Sequence, residues 1–124
     1  MINLSDEIKQ DMYKSAKNLW LSALFENISG YYPDISFDEQ KALFFVLVEE
    51  ALDKEIIKFD YPPLEEYSDK VGLWQTDNQT ILQYLKDGFP KNASHRHDDD
   101  VNLYFYVVAP PVLWRQDDGS YYGS

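Results

Sequence analysis

Residues 36–54, SFDEQKALFFVLVEEALDK, decide the fold because they encode a helix whose centre is apolar on every side. The segment opens with Ser36 and Glu39 in the Ser-x-x-Glu pattern, in which the two side chains satisfy each other's free backbone N–H groups at a helix start. The run 42–48 is apolar throughout, and such a helix packs against neighbours on more than one face. We therefore predict a central helix over about residues 37–54.

The segment before this helix predicts another helix. Apolar residues recur at spacings of three and four over residues 5–29, which is the period of one helical face. Ser5 can cap the start of this helix, and Gly30 supplies a left-handed stop. We expect a single uninterrupted helix in this part of the chain.

After the central helix the elements become shorter. Ile56, Ile57 and Phe59 favour a short strand, although they could also prolong the helix, and the prolines that follow end either one. Residues 64–74 form an irregular acidic connection. The capping pattern then recurs from Thr76 to Gln79, which predicts a third helix over about residues 77–87.

The C-terminal third has the composition of strands. A polar, mobile connection over residues 91–100 precedes two β-rich runs, 103–108 and 112–116, separated by Ala-Pro-Pro. Asp118-Gly119 is a hairpin signal, with residues 120–122 as the returning strand. Helices first and strands last predict an α+β fold, in which about three helices pack on a small C-terminal antiparallel sheet. At this length we expect one domain, 1–124.

Composition excludes several classes of function. The 124 residues carry a formal net charge of −11, so the surface repels nucleic-acid phosphates and anionic membranes. The chain has no Cys, which rules out disulfides and thiolate chemistry. It starts without the pattern of a secretion signal, and charges interrupt every apolar stretch. We therefore expect a cytoplasmic protein that contacts neither nucleic acid nor membrane.

Residue types suited to chemistry are few. His95 and His97, followed by three Asp residues, form the only cluster suited to a metal, but they lie in a polar loop without a scaffold to fix coordination angles. Paired carboxylates such as Glu49-Glu50 and Glu65-Glu66 could do acid–base work only if one of each pair were desolvated, and nothing near them in the sequence indicates this, so we expect them on solvated faces. The motifs of phosphate loops, nucleophile elbows and zinc proteases are absent from the sequence. We predict a protein without catalytic residues, metal or cofactor.

Acidic residues are concentrated in the middle of the sequence. Residues 34–69 contain eleven carboxylates and three lysines, a net charge of −8, whereas residues 1–33 carry −1 and residues 70–124 carry −2. A field of one sign accelerates encounter with a basic partner, at some cost in stability. The alternative is that the acidity serves solubility alone.

Helical spacing selects an anchor for such a partner. Lys41, Phe45, Glu49 and Asp53 fall on one i, i+4 line of the central helix, so Phe45 would stand among carboxylates. An aromatic side chain ringed by charge is typical of an interface hot spot. The alternative is that Phe45 packs beneath the C-terminal sheet. The predicted binding residues are Phe45, Glu49, Glu50, Asp53, Glu65, Glu66, Tyr67 and Asp69.

The C-terminal third also carries a family resemblance. Gly88-Phe89-Pro90, Tyr104-Phe105, Ala109-Pro110 and the run Trp114-Arg115-Gln116-Asp117-Asp118-Gly119 occur in an order that resembles an uncharacterised bacterial family, domain of unknown function 596. The resemblance implies a fold unit and a bacterial origin, without an activity. By size, acidity and lack of Cys, the chain is also similar in kind to immunity proteins, including those of contact-dependent growth inhibition.

Three hypotheses follow from these observations. The first is an immunity protein that binds a basic toxin domain, such as a nuclease, and occludes its active site, with the acidic surface in place of the nucleic-acid backbone. The second is a non-catalytic adaptor or regulatory domain that binds a host protein. The third is an enzyme, which would depend on metal bound by His95 and His97.

Overall fold

The N-terminal part of the computed structural model, which describes residues 2–123, contains two helices where the sequence predicts one. Helix α1 spans Asp6–Ala16 and helix α2 spans Leu21–Tyr31. Between them Asn18 adopts a left-handed backbone conformation with φ of 68°. The indole N–H of Trp114 donates to the carbonyl of Leu19 (3.0 Å). The prediction of one helix over residues 5–29 is wrong because contacts with the distant C-terminal strand stabilise this break.

Helix α2 ends without the glycine stop that the sequence predicts. Gly30 lies inside the helix, and the left-handed stop expected there does not form. The backbone N–H of Tyr32 instead donates to the carbonyl of Ile28 (2.9 Å) and closes the last turn. Ser5 caps α1 as predicted, accepting a hydrogen bond from the backbone N–H of Ile8.

Helix α3, Phe37–Asp53, confirms the predicted central helix. The Ser36 hydroxyl oxygen accepts from the backbone N–H of Glu39 (3.2 Å) at its start. The helix packs against α2, against the fourth helix and against the first strand. Its interior side chains contribute to the one hydrophobic cluster of the described chain; those with no exposed surface are Phe44, Leu47, Val48 and Ala51.

The C-terminal end of α3 is a Schellman motif built on a non-glycine residue. Ile56 N–H donates to the Ala51 carbonyl (2.8 Å), and Glu55 N–H donates to the Leu52 carbonyl (3.1 Å). Glu55 takes the left-handed position with φ of 58°, where glycine is the usual residue. The Tyr121 hydroxyl donates to the Glu55 carbonyl (2.7 Å), which ties this turn to the C-terminal strand.

The three strands form one antiparallel sheet in the order β1-β2-β3, with β1 at Ile57–Phe59, β2 at Val112–Arg115 and β3 at Tyr121–Tyr122. Ile57 pairs with Trp114 in the β1–β2 ladder, and Trp114 pairs with Tyr122 in the β2–β3 ladder. Strand β1 comes from the middle of the chain, whereas β2 and β3 lie near its C-terminus and pair antiparallel around Asp118-Gly119. The α+β fold and the predicted hairpin are confirmed.

The run 103–108, predicted as a strand, is helical. Helix α5 spans Asp99–Leu103, and Tyr104–Val108 continue it as a π-helical turn that ends with Ala109 N–H donating to the Tyr104 carbonyl (2.9 Å). The buried Tyr104 hydroxyl donates to the Leu85 carbonyl (2.7 Å). An apolar run of this length fits either a strand or a buried helix, and packing against the preceding helix decides between them.

Helix α4, Asn78–Gly88, confirms the third predicted helix. Its cap is Asp77, whose carboxylate accepts from the backbone N–H of Thr80 (2.7 Å), one residue later than the Thr76 pattern predicts. The third residue after the cap is therefore Thr80, whereas the Thr76 pattern predicts Gln79. Between α3 and α4 the chain forms a 3₁₀ turn, Glu65–Tyr67, inside the predicted acidic connection.

Candidate interaction surface

Phe45 is buried, and the prediction that it is an exposed anchor is wrong. Its side chain is 7% exposed. Its ring makes edge contacts with Phe44 (5.1 Å between centroids) and Phe89 (5.8 Å). Helical spacing alone misplaces it because α3 is covered on several sides. The alternative that Phe45 is buried is correct, and Phe89, one of the rings that it contacts, is the residue after α4.

Glu50 forms an ion pair within the protein, which makes it a poor contact for a partner. One of its carboxylate oxygens accepts from the Lys9 ammonium at 2.9 Å, which joins α3 to α1. Its other oxygen is buried and has no hydrogen-bond partner. Burial, and to a lesser extent the charge of Glu50, raises the pKa of the neighbouring Tyr13, whose hydroxyl donates to the Leu47 carbonyl. A partner that bound the Glu50 carboxylate would have to break its ion pair with Lys9.

The other predicted carboxylates are available for a partner. No lysine or arginine within residues 2–123 forms a salt bridge with any of them; they are Glu49, Asp53, Glu65, Glu66 and Asp69. Glu49 is half-buried and the other four are exposed. Asp53 accepts a hydrogen bond from the side-chain amide of Asn78 (3.3 Å), which links α3 to α4.

An aromatic ladder holds part of this acidic surface in place. We name residues 65–69 the acidic turn, since Glu65, Glu66 and Asp69 are exposed on it. The ring of the half-buried Tyr67 packs against those of Tyr61 (5.3 Å between centroids) and Trp74 (6.0 Å). Trp74 in turn packs against Tyr84 (5.6 Å), which ends the ladder. The carboxylates of the acidic turn therefore extend from a backbone whose Tyr67 ring packs against the buried ring of Trp74.

A cleft of about 330 Å³ lies beside the ladder, between the end of α3, strand β1 and the start of α4. Two acidic residues, Asp53 and Glu55, are among those that line it. Trp74 contributes to the same lining and contacts Tyr67, so the cleft adjoins the acidic turn. The apolar residues of the lining are Leu52, Ile57, Phe59, Leu73, Trp74 and Ile81.

Sequence reasoning missed the residues that build this cleft. The sequence predicts no particular role for Glu55 within the acidic segment, and it predicts an irregular connection at Trp74. The backbone N–H of Trp74 donates to the Phe59 carbonyl (2.9 Å), and Asp60 bridges to Leu73, which ties the connection to β1. Burial raises the pKa of Asp60 above its ordinary value. The only sequence signal was the alternation of aromatic and acidic residues between 59 and 74.

An apolar patch occupies a different part of the surface. Leu19 and Trp20 are about half exposed, as are Leu103, Tyr106 and Val107 on α5 and its π-helical turn. The Trp20 and Tyr106 rings meet edge to face at 4.8 Å. A cavity of about 120 Å³ beside them is lined by aliphatic, aromatic and proline residues. The sequence does not reveal this patch, because periodicity predicts one helix through Leu19 and Trp20 and a strand through the residues on α5 and its π-helical turn.

The histidine loop does not assemble a ligand set. His97 N–H donates to the His95 Nδ1 atom (3.1 Å), so the two histidines interact with each other locally. The Asp98 carboxylate accepts from the backbone N–H groups of Ser94 and His95, which lower its pKa. Among residues 2–123 the structure holds no group of three or more His, Cys, Asp or Glu side chains suited to a metal. Over the same range, no helix has the length and apolar character needed to cross a membrane.

Comparison with known proteins gives a similarity of fold only. No protein-family model matches the chain, and no curated protein matches it in sequence. The fold is similar to that of an uncharacterised protein conserved in bacteria, from Neisseria meningitidis, with a TM-score of 0.69. The two sequences are 22% identical over a match that covers 94% of this chain and 86% of the other. The resemblance to domain of unknown function 596 stays a prediction.

Proposed function

We propose that this chain is an immunity protein of the bacterial cytoplasm that binds a basic toxin domain, such as a nuclease, and occludes its active site. The observation that carries the proposal is a set of five carboxylates, at the end of α3 and on the acidic turn, that form no salt bridge with any residue between 2 and 123. They stand in for the phosphates that a basic active site is built to bind.

The charge distribution supports a fast encounter with such a partner. Residues 34–69 hold eight of the eleven net negative charges of the chain. A concentrated field of one sign raises association rates by orders of magnitude when the partner is of opposite sign, and the gain falls with salt. A toxin must be captured before it acts, so a high association rate suits this function.

The packing of Tyr67 in the acidic turn supports tight binding. Tyr67 is fixed between Tyr61 and Trp74, so the carboxylates of Glu65 and Glu66 extend from an ordered backbone. A preorganised surface loses less conformational entropy on association than a flexible one. We therefore assign the toxin contact to Glu49, Asp53, Glu65, Glu66 and Asp69, with Tyr67 as support, and we withdraw Phe45 and Glu50 from it.

The test is a titration against the purified toxin domain encoded beside the gene of this protein. We expect nanomolar or tighter binding that weakens with salt, and loss of toxicity on co-expression. The double variant Glu65→Lys/Glu66→Lys should lower the association rate by at least about tenfold at low salt. The matched control Glu26→Lys/Asp117→Lys makes the same change in net charge outside the acidic segment.

Two results would contradict the proposal. Absence of binding to the neighbouring toxin domain would remove the cognate pair. Equal association rates for the two double variants would show that net charge, and not this surface, governs the encounter. Stopped-flow fluorescence at two salt concentrations measures both, because steered association is the salt-dependent part of the rate.

The apolar patch favours a second candidate, a non-catalytic adaptor that binds a host protein through Trp20 and Tyr106. Contiguous exposed apolar surface on a small domain is typical of interaction sites. The variant Trp20→Ala/Tyr106→Ala separates the candidates. It should leave toxin binding unchanged if the acidic surface is the interface, and abolish partner binding if the adaptor function is correct.

A further inference from the structure

We propose that the cleft lined by Asp53, Glu55 and Trp74 binds an arginine side chain of the basic partner, at the centre of the acidic contact. The inference rests on the proposed function and names the chemistry of one subsite within it. Hot spots of protein interfaces are central pockets that take a single large side chain, surrounded by contacts that exclude water.

The cleft adjoins both parts of the acidic surface, the end of α3 and the acidic turn. Asp53 and Glu55 line it from the end of α3, and Trp74 joins it to the acidic turn through Tyr67. Its volume of about 330 Å³ is roughly ten times the share of one water in the liquid, which is room for a long side chain. An arginine inserted into the cleft would be shielded from water, because the partner would contact the end of α3 and the acidic turn around it.

Charge favours a cation in the cleft. Asp53 and Glu55 lie at the C-terminal end of α3, where the helix dipole also favours positive charge. Lys58 lies in the lining too, but its ammonium sits 4.8 Å from the centre of the Tyr121 ring, which partly satisfies it. At the opposite wall α4 begins, and its positive end is offset by the carboxylate of its cap, Asp77.

The lining selects guanidinium over ammonium. Six of the twelve residues that line the cleft are apolar, and of its two aromatic residues Trp74 keeps more exposed surface than Phe59 (8% against 1%). A guanidinium is planar and weakly hydrated, so it tolerates apolar walls and stacks on aromatic rings, whereas an ammonium is a strongly hydrated point charge. The planar fork can also donate to two acceptors at once, as two carboxylates at one cleft require.

The probe is the capped peptide N-acetyl-Gly-Arg-Gly-amide, titrated into the full chain by NMR. Its citrulline counterpart, which has the same shape without the charge, is the ligand control. We expect saturable shifts of the Trp74 indole N–H and the Asn78 amide with the arginine peptide only. The indole signals of Trp20 and Trp114, which lie outside the cleft, serve as internal controls.

Variants locate the binding. Asp53→Asn/Glu55→Gln should weaken the arginine peptide about tenfold, the usual effect of losing charge-assisted hydrogen bonds. Glu26→Gln/Asp117→Asn removes the same net charge elsewhere and should bind as the wild type does. Unchanged thermal unfolding of each variant shows that the fold is retained. Shifts equal for arginine and citrulline, or unaffected by the cleft variant, would overturn the inference.

The outcomes separate this inference from the proposed function. A toxin domain that binds tightly and equally to the wild type and to Asp53→Asn/Glu55→Gln would leave the immunity function standing and remove the arginine subsite. An arginine peptide that binds at Trp74, combined with a neighbouring toxin domain that does not bind at all, would support the subsite and remove the toxin. Each result is decided by a different ligand.

Discussion

Replacing Phe45 with alanine tests whether this residue belongs to the core or to the interface. The side chain is 7% exposed and contacts the Phe44 and Phe89 rings. Phe-to-Ala changes at buried sites cost about 3–5 kcal/mol. We expect the lower end, about 3 kcal/mol, because the flexible side chain of Lys86, whose amine lies 6.0 Å from the ring centre, can partly fill the cavity.

The expected change is large enough to measure by two methods. An unfolding entropy of about 2.1 cal/mol/K per residue over 124 residues converts 3 kcal/mol to a fall in Tm of about 12 °C. Urea unfolding followed by circular dichroism gives the free energy directly. The control is Val46→Ala on the next position of α3, which is 41% exposed and should cost less than about 1 kcal/mol.

The result that refutes the reasoning is a Phe45→Ala variant as stable as Val46→Ala. Phe45 would then lie at the surface, and its role as an anchor would return. If the variant is destabilised as expected, its association rate with the toxin domain, measured below its Tm, should equal that of the wild type. Stability and binding would in that case depend on different side chains of the same helix.

Two further predictions concern local structure. Trp114→Phe removes the donor to the Leu19 carbonyl at the break between α1 and α2, so the free energy of unfolding should fall by about 2 kcal/mol; unchanged urea unfolding would contradict this. The pKa of Asp98 is lowered because the backbone N–H groups of Ser94 and His95 donate to its carboxylate. The ionised carboxylate therefore stabilises the fold at pH values above the unfolded pKa, and this stabilisation is lost as the pH falls through the folded pKa. Asp98→Asn should therefore lose less stability on acidification than the wild type, as measured by urea unfolding over a pH series, and parallel curves would refute the assignment.

Local signals were sufficient for about half of the architecture. The cap at Ser36 and the apolar centre of α3 are both encoded within one segment, and the prediction there was confirmed. The hairpin at Asp118-Gly119 likewise depends on a two-residue turn signal, and Gly119 takes the left-handed conformation with φ of 87°. Features of this kind need no knowledge of the rest of the chain.

Contacts between distant residues decided the remainder. The break after α1 depends on Trp114, 95 positions beyond Leu19, so periodicity could not reveal it. The π-helical turn depends on the contact of Tyr104 with α4, and its composition resembles that of a strand. The candidate surface shows the same difference. The acidic segment is visible in the sequence from its charge, whereas the cleft beside Trp74 is visible only in the fold.

The backbone conformation of Glu55 has a consequence for how this position would respond to selection. A glycine there would relieve the left-handed strain of the Schellman turn and stabilise the chain, so a screen for heat resistance should enrich it. The same replacement removes a carboxylate from the cleft, so a screen for partner binding should eliminate it. Two libraries at this one codon, sorted by the two criteria, should therefore diverge, with glycine abundant in the first and acidic residues in the second.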